Sequence, residues 1–244
     1  MSCVTPADLG KPLAAIVERC GSPDEVMSLS TSNALYYSDG GHLTSISFDA
    51  DQMRARMISF TTISLPPTQP PVVWNVMLPF ESGAREIALG QMTLADAQSA
   101  LVADADVTTR IGAAFRSTTP HNDVVLAART SDRVVVAAFV GEHASLAQSS
   151  YIDSPLDEKP LDYMAPAPRD AWLRPQNAAP GPRATIFRID VDAVGTVRDV
   201  TIVIASGDAA FDAATQQRLG DARFRAATLD NRPVSGTCFV QVRH

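Results

Sequence analysis

Four histidines, three cysteines and the adjacent carboxylates Asp157 and Glu158 are residues of this 244-residue chain whose types could ligate a metal or move a proton. His42, His121, His143 and His244 are scattered, and none stands at i, i+4 from a second ligand, the spacing a helix-borne zinc site uses. A zinc site would have to be assembled from distant segments, whereas hydrogen-bonded or solvent-facing histidines are much more frequent. Cys3, Cys20 and Cys238 lack metal-ligand spacing. The commonest fate of such thiols is burial as small hydrophobes, with a Cys20–Cys238 disulfide as the minority alternative. Asp157-Glu158 could work as an acid/base pair only if folded against something, and its proline-rich surroundings read better as a solvated linker. No Gly-x-Ser-x-Gly, phosphate loop or dinucleotide fingerprint occurs, and Gly40-Gly41 reads as a hairpin turn. These residues imply no catalytic centre, no metal site and no cofactor. An undetected hydrolase has only this absence of motifs against it.

The remaining chemistry is recognition through shape and backbone. Tyr36 and Tyr37 fall on opposite faces of a strand, so one belongs under a helix and the other faces outward. Beside Phe48 or Phe60, the outward one would form an aromatic binding surface, although ordinary packing explains the pair as well. The second candidate is the closing strand, Val234, Ser235, Gly236, Thr237, Cys238, Phe239, Val240, Gln241 and Val242, which follows the Asp230-Asn231-Arg232-Pro233 turn. An open strand edge pairs with an extended peptide main chain to main chain, with little demand on side chains.

Composition agrees with a folded chain. Hydrophobic residues make up 45% and charged residues 19%, enough for buried cores. The net charge of −7 repels nucleic acid and anionic lipid, and no run of four Lys or Arg offsets it. The longest apolar stretch, VVVAAFV from Val134, is far short of the roughly 20 residues that span a bilayer. MSCVTPADLG lacks the basic start and apolar core of a signal peptide. The chain is thus either cytoplasmic or exported with its signal removed.

Elements that could position these candidates fall into an echo. DLGKPLAAIVERCGSPDEV and ALGQMTLADAQSALVADADV place Leu-Gly pairs 80 positions apart, each ahead of a helix. Leu13, Ile16, Val17 and Cys20 make the first apolar stripe, and Leu94, Ala97 and Leu101 a thinner second one, with Thr93 and Asp96 as a capping pair. ALYYS, HLTSISFDA and RARMISFTT follow the first helix, and AAFRST, DVVLAAR and RVVVAAFVG follow the second. Each unit reads as a helix over a three-stranded antiparallel meander, so Asp8–Thr61 and Ala88–Glu142 are expected to superpose, each sheet with one face under its helix and the other left for a partner or for the sister unit. LPPTQPP reads as a linker or as a wall of the cleft between the two sheets rather than as a proline ligand, and the proline-rich stretch from Ser154 to Pro182 marks a boundary.

From Ala184 the pattern becomes strand, strand, helix, strand. The first two strands join around Ala193-Val194-Gly195, Asp208 caps the helix, and Gly220 ends it. Phe211, Ala214 and Leu219 are its expected inner side.

These pieces, DVDAVGTVRDVTI, SGDAAFDAATQQRL, ARFRAATLDNRPVSG and CFVQV, resemble the C-terminal domain of TonB, a family of periplasmic energy transducers. Family members usually carry Trp and Pro where Ala222 and Ala226 stand here. The resemblance implies that the closing strand can hold an extended peptide, as TonB holds the plug signal of an outer-membrane receptor. A full transducer also needs an inner-membrane helix and a long spacer, and neither is in these residues. On Leu9, Gly10, Gly21, Pro23, Val26 and Tyr37, the N-terminal part resembles the small lipoprotein fold of BamE (SmpA), in a tandem like that of beta-lactamase inhibitory protein. That likeness makes Cys3 a candidate lipid anchor.

The expectation is an α+β chain with BamE-like units at 1–80 and 81–150, a linker at 151–183 and a TonB-type domain at 184–244. It is a non-enzymatic periplasmic adaptor for an envelope protein or extended peptide, with no nucleic-acid partner and with homodimerisation open. The alternative is an inhibitor whose paired units embrace an enzyme.

Overall fold

The structure, a computed structural model, describes residues 3–28, 33–62, 72–81, 83–101, 105–109, 112–142, 163–173 and 184–244, with backbone alone at 105–109, 112, 113 and 171. It is α+β, with strands predominating. In chain order the elements are α1 (Leu13–Cys20), β1 (Glu25–Ser28), β2 (Asn33–Asp39), β3 (His42–Phe48), β4 (Ala55–Thr62), β5 (Trp74–Phe80) and β6 (Gly83–Leu89). Then come α2 (Leu94–Ala100), β7 (Ala105–Thr109), β8 (Gly112–Thr118), β9 (Asp123–Ala128), β10 (Val135–Gly141), β11 (Tyr163–Met164) and β12 (Ala167–Pro168). The last are β13 (Ala184–Val191), β14 (Val197–Ile204), α3 (Ala209–Gly220), β15 (Phe224–Arg225), β16 (Ala227–Leu229), β17 (Arg232–Val234) and β18 (Gly236–Arg243). The backbone divides into two compact units, one of Met1–Lys11, Tyr37–Ser47 and Arg54–Glu158, the other of Pro12–Tyr36, Phe48–Met53 and Lys159–His244.

In the first unit, the end of β2 is followed across the sheet by β3, β4, β10, β9, β8 and β7. β4 and β10 run antiparallel, with Thr61 opposite Ala137. The hairpin β5–β6 was not anticipated, although Trp74, Val76, Leu78 and Phe80 alternate as buried residues with exposed Asn75 and Met77. The second sheet face was expected to be left for a partner or for the sister unit, and all six residues of β9 are buried. Its run Val124-Val125-Leu126-Ala127-Ala128 is continuously apolar, the mark of a strand covered on both faces.

Thr93 accepts the Asp96 N–H at 3.2 Å and donates its hydroxyl to the Asp96 carboxylate at 2.6 Å, so the start of α2 is capped as its spacing predicts. Each of the two N-terminal helices is followed by four strands or by a meander of four, not three; β1 and β7 are short and carry no apolar alternation to announce them. Bonds around the helix entries correspond. Gly10 N–H donates to Ala55 O and Gly90 N–H to Val135 O, both at 2.7 Å, while Leu13 N–H meets Met53 O at 3.0 Å and Leu94 N–H meets Arg133 O at 2.8 Å. Met53 and Arg133 both take positive φ, 50° and 59°.

The second unit holds a sheet in the order β14–β13–β18. Phe187, Ile189, Val191, Leu219, Phe224, Cys238 and Val240 form its core, joined by Leu173. Asp208 caps α3 by accepting the N–H groups of Ala210 and Phe211, each at 3.0 Å. The inner side of α3 is Asp212, Thr215 and Leu219 rather than Phe211, Ala214 and Leu219. The reason is polar: the Asp212 carboxylate accepts the Ser206 hydroxyl at 2.8 Å, the Ser206 N–H at 3.2 Å and the Thr185 hydroxyl. Phe211 turns instead to an edge-on contact with His244.

Of the stretch read as a linker, residues 163–173 are described, and they are strand-paired. Tyr163 lies opposite Leu229, Ala167 opposite Arg225, and the Arg218 guanidinium sits 3.8 Å over the Trp172 ring. LPPTQPP, Asp157-Glu158 and His143 lie outside the described residues. Cys3 and Cys20 are disulfide-bonded, and Cys238 is the buried free thiol. The expectation of a lipid anchor at Cys3 is thereby corrected, because a sulfur bound to sulfur has no valence left for a thioether. The Cys20–Cys238 alternative falls with it.

Candidate functional site: the outer edge of β18

β13 lies along one side of β18, with Ile189 opposite Cys238 and Phe187 opposite Val240. Alternation sends Cys238 and Val240 into the core beneath α3, while Phe239 meets Phe48 edge-on, 5.1 Å between ring centres, on the other face. Thr237 donates its hydroxyl to the Asp190 carboxylate at 2.6 Å.

The outer edge is where main-chain chemistry remains. Phe239 N–H points away from β13 and donates to the Ser28 hydroxyl at 2.8 Å. In an antiparallel ladder outward groups recur every second residue, so Thr237 and Gln241 present theirs on the same side. The Gln241 amide donates to Pro23 O at 2.7 Å, and the Arg243 guanidinium to Asp24 O at 2.6 Å. A cavity of about 330 Å³ follows this edge, bounded by β1, by Pro166–Pro168, and by Trp172 and Leu173. The expected open edge is thus a groove with a second wall.

Residues 184–243 match the family of the Gram-negative bacterial TonB protein C-terminal. This TonB-type domain covers the β14–β13–β18 sheet and α3. No curated protein matches the chain at a significant level. Two solved structures share a distant similarity at 10% identity. A cysteine-rich secretory protein from Staphylococcus aureus subsp. aureus Mu50 has a TM-score of 0.37, with 61% of this chain and 48% of that one covered. An extracellular protein containing a SCP domain from Bacillus anthracis str. Ames has a TM-score of 0.40, with 64% and 53% covered. The chain spans about half the length of each.

The nine residues Val234 to Val242 do not form one edge in the TonB-type domain. Val234 belongs to β17, opposite Ala227, and Ser235 is an exposed joint before β18 begins at Gly236. A side chain at Gly236 would meet Ala227 Cβ and the Tyr163 hydroxyl, each at 2.7 Å, so the chain changes partners where only glycine fits. The Cys238 side chain is buried in the core. Burial, then the Asp190 carboxylate, pushes its thiol up to about 12. Iodoacetamide at pH 8 is therefore expected to leave Cys238 unmodified in the folded chain and to modify it in denaturant, as peptide mass spectrometry would show.

Tyr36 and Tyr37 are both half-buried, and Phe48 and Phe60 are fully buried, so the aromatics proposed to flank an outward tyrosine are core residues. Tyr37 instead borders a cavity of about 210 Å³ with Asp39, His42, Thr44 and Trp74, where the His42 ring stacks on Trp74 at 4.6 Å. His121 is exposed, and His244 Nε2 stands 3.6 Å from Asp208. Among the described residues no three His, Cys, Asp or Glu side chains converge on a metal position, and no helix is long and apolar enough to cross a membrane. The groove residues that sequence reasoning missed are Pro23–Ser28 and Trp172. The only local signal was a lone tryptophan inside a proline-rich stretch, which composition assigns to a linker.

Proposed function

We propose that the chain works in the periplasm of a Gram-negative cell envelope as a non-enzymatic protein-binding adaptor, holding an extended segment of a partner protein along the outer edge of β18. The observation that carries this reading is the outward Phe239 N–H, satisfied by a serine hydroxyl rather than by a strand carbonyl, on the terminal strand of a TonB-type domain. The disulfide-bonded state of Cys3 and Cys20 supports an oxidising compartment. An inhibitor-like role for the N-terminal units is the second reading, supported by the corresponding bonds at Gly10 and Gly90 and at Leu13 and Leu94, which suit two copies of one unit.

The two readings separate at Gln241. Its N–H faces away from β13, so proline there deletes an outward donor while sparing the inner ladder. With the full chain as bait in envelope extract, Gln241→Ala is expected to keep partner affinity within about threefold, while Gln241→Pro lowers it about tenfold or more. Undiminished capture by Gln241→Pro would mean that the edge is idle and that recognition lies in the N-terminal units.

A further inference from the structure

We infer that Pro23–Ser28 is a latch on the outer edge of β18, a built-in competitor that an extended partner peptide must displace. The inference rests on the reading of that edge as a binding surface. β1 and β18 are each the last strand of their sheet, and no main-chain ladder joins them. Two strand edges therefore face one another across side chains. Ser28 Oγ stands where a partner carbonyl would accept the Phe239 N–H, while Gln241 and Arg243 send side-chain donors to Pro23 O and Asp24 O. The latch is backed on its far side by β2, with Ser28 opposite Asn33 and Asp24 N–H donating to Tyr36 O at 2.8 Å, so it has a support to swing from.

The contacts are of a kind that can be exchanged. Ser28, Gln241 and Arg243 are all only half-buried, where water competes for each bond. An incoming strand would replace these bonds with main-chain bonds along the edge, which do not spend side-chain rotamer freedom. The groove adds a requirement on the partner. Pro166, Pro168, Trp172 and Leu173 border the cavity beside the edge, so the fitting ligand is an extended peptide with an apolar side chain to place there. A peptide without that anchor has only the ladder with which to outcompete the latch.

The test reads the free protein first. Amide hydrogen exchange by NMR on the full chain is expected to show the Phe239 N–H exchanging about tenfold faster in Ser28→Ala than in the parent, with Ser28→Thr close to the parent and with Cys238 and Val240 unchanged in both. A synthetic peptide copying residues 22–28 is then the probe. It is expected to shift the β18 amide resonances at about tenfold lower concentration in Ser28→Ala than in the parent, because the tethered copy no longer competes. Phe239 exchange within about twofold of the parent in Ser28→Ala would overturn the latch. Equal acceleration at Cys238 and Val240 would overturn it too, since Ser28 would then belong to the domain's fold. Faster exchange at Phe239 with no peptide-induced shift would show an edge covered but not competed for, and there it is the edge-binding reading that fails.

Discussion

Replacing Asp212 with alanine is expected to destabilise the TonB-type domain by about 3 kcal/mol, measured as a fall in the denaturant midpoint at constant slope. Asp212 is 4% exposed, yet it lies on the inner face of α3 because the Ser206 N–H, the Ser206 hydroxyl and the Thr185 hydroxyl all converge on its carboxylate. Alanine removes the acceptor and leaves those buried donors facing a gap. Each orphaned group costs on the order of 1–3 kcal/mol, less whatever water can enter to restore. Asparagine keeps one acceptor oxygen and should cost less than alanine. A midpoint for Asp212→Ala equal to the parent's would show that the cluster is satisfied some other way.

Gly195→Ala is expected to be at least as damaging, about 3 kcal/mol or more, because strain and collision act together. Gly195 has φ near 87°, and a Cβ there would lie 2.3 Å from Phe224 O, a backbone atom that cannot swing aside. The same carbonyl region is fixed from the other direction, since Phe224 N–H donates to Gly195 O at 3.3 Å. Gly207 is the control. Its φ is near 90° but nothing lies within 4 Å of its would-be Cβ. Gly207→Ala therefore measures conformational strain alone, about 1 kcal/mol. If the two variants were equally stable, the approach of Phe224 to the β13–β14 turn would not be tight in solution.

The C-terminal domain was legible because its signals are local and mutually consistent. The strand pair around Gly195, the Asp208 cap and the strand that closes on CFVQV each follow from turn chemistry and period. The inner face of α3 was misread because apolar periodicity cannot see a carboxylate drawn inward by the Ser206 N–H and hydroxyl, six residues upstream, and by the Thr185 hydroxyl of β13. The edge was legible as a terminal strand, but its cover was not. Pro23–Ser28 lies more than two hundred residues upstream of Phe239, and only folding brings Ser28 Oγ to that N–H. The linker reading failed for Tyr163–Leu173 for a similar reason: proline content reports what a backbone cannot donate, not what it docks against.

The docking of that segment bears on modularity. The stretch that carries family likeness begins at Ala184, but the piece that folds reaches further back: Leu173 sits in the same apolar core as Phe187 and Leu219, and Trp172 lies beneath Arg218. A copy cut at the likeness boundary would carry a hole where Leu173 belongs and an uncovered cation where Trp172 lay. The matched segment and the packed core are therefore of different lengths. Any exchange of this domain between proteins, by recombination or by design, has to move the tryptophan and its proline-flanked strand along with it.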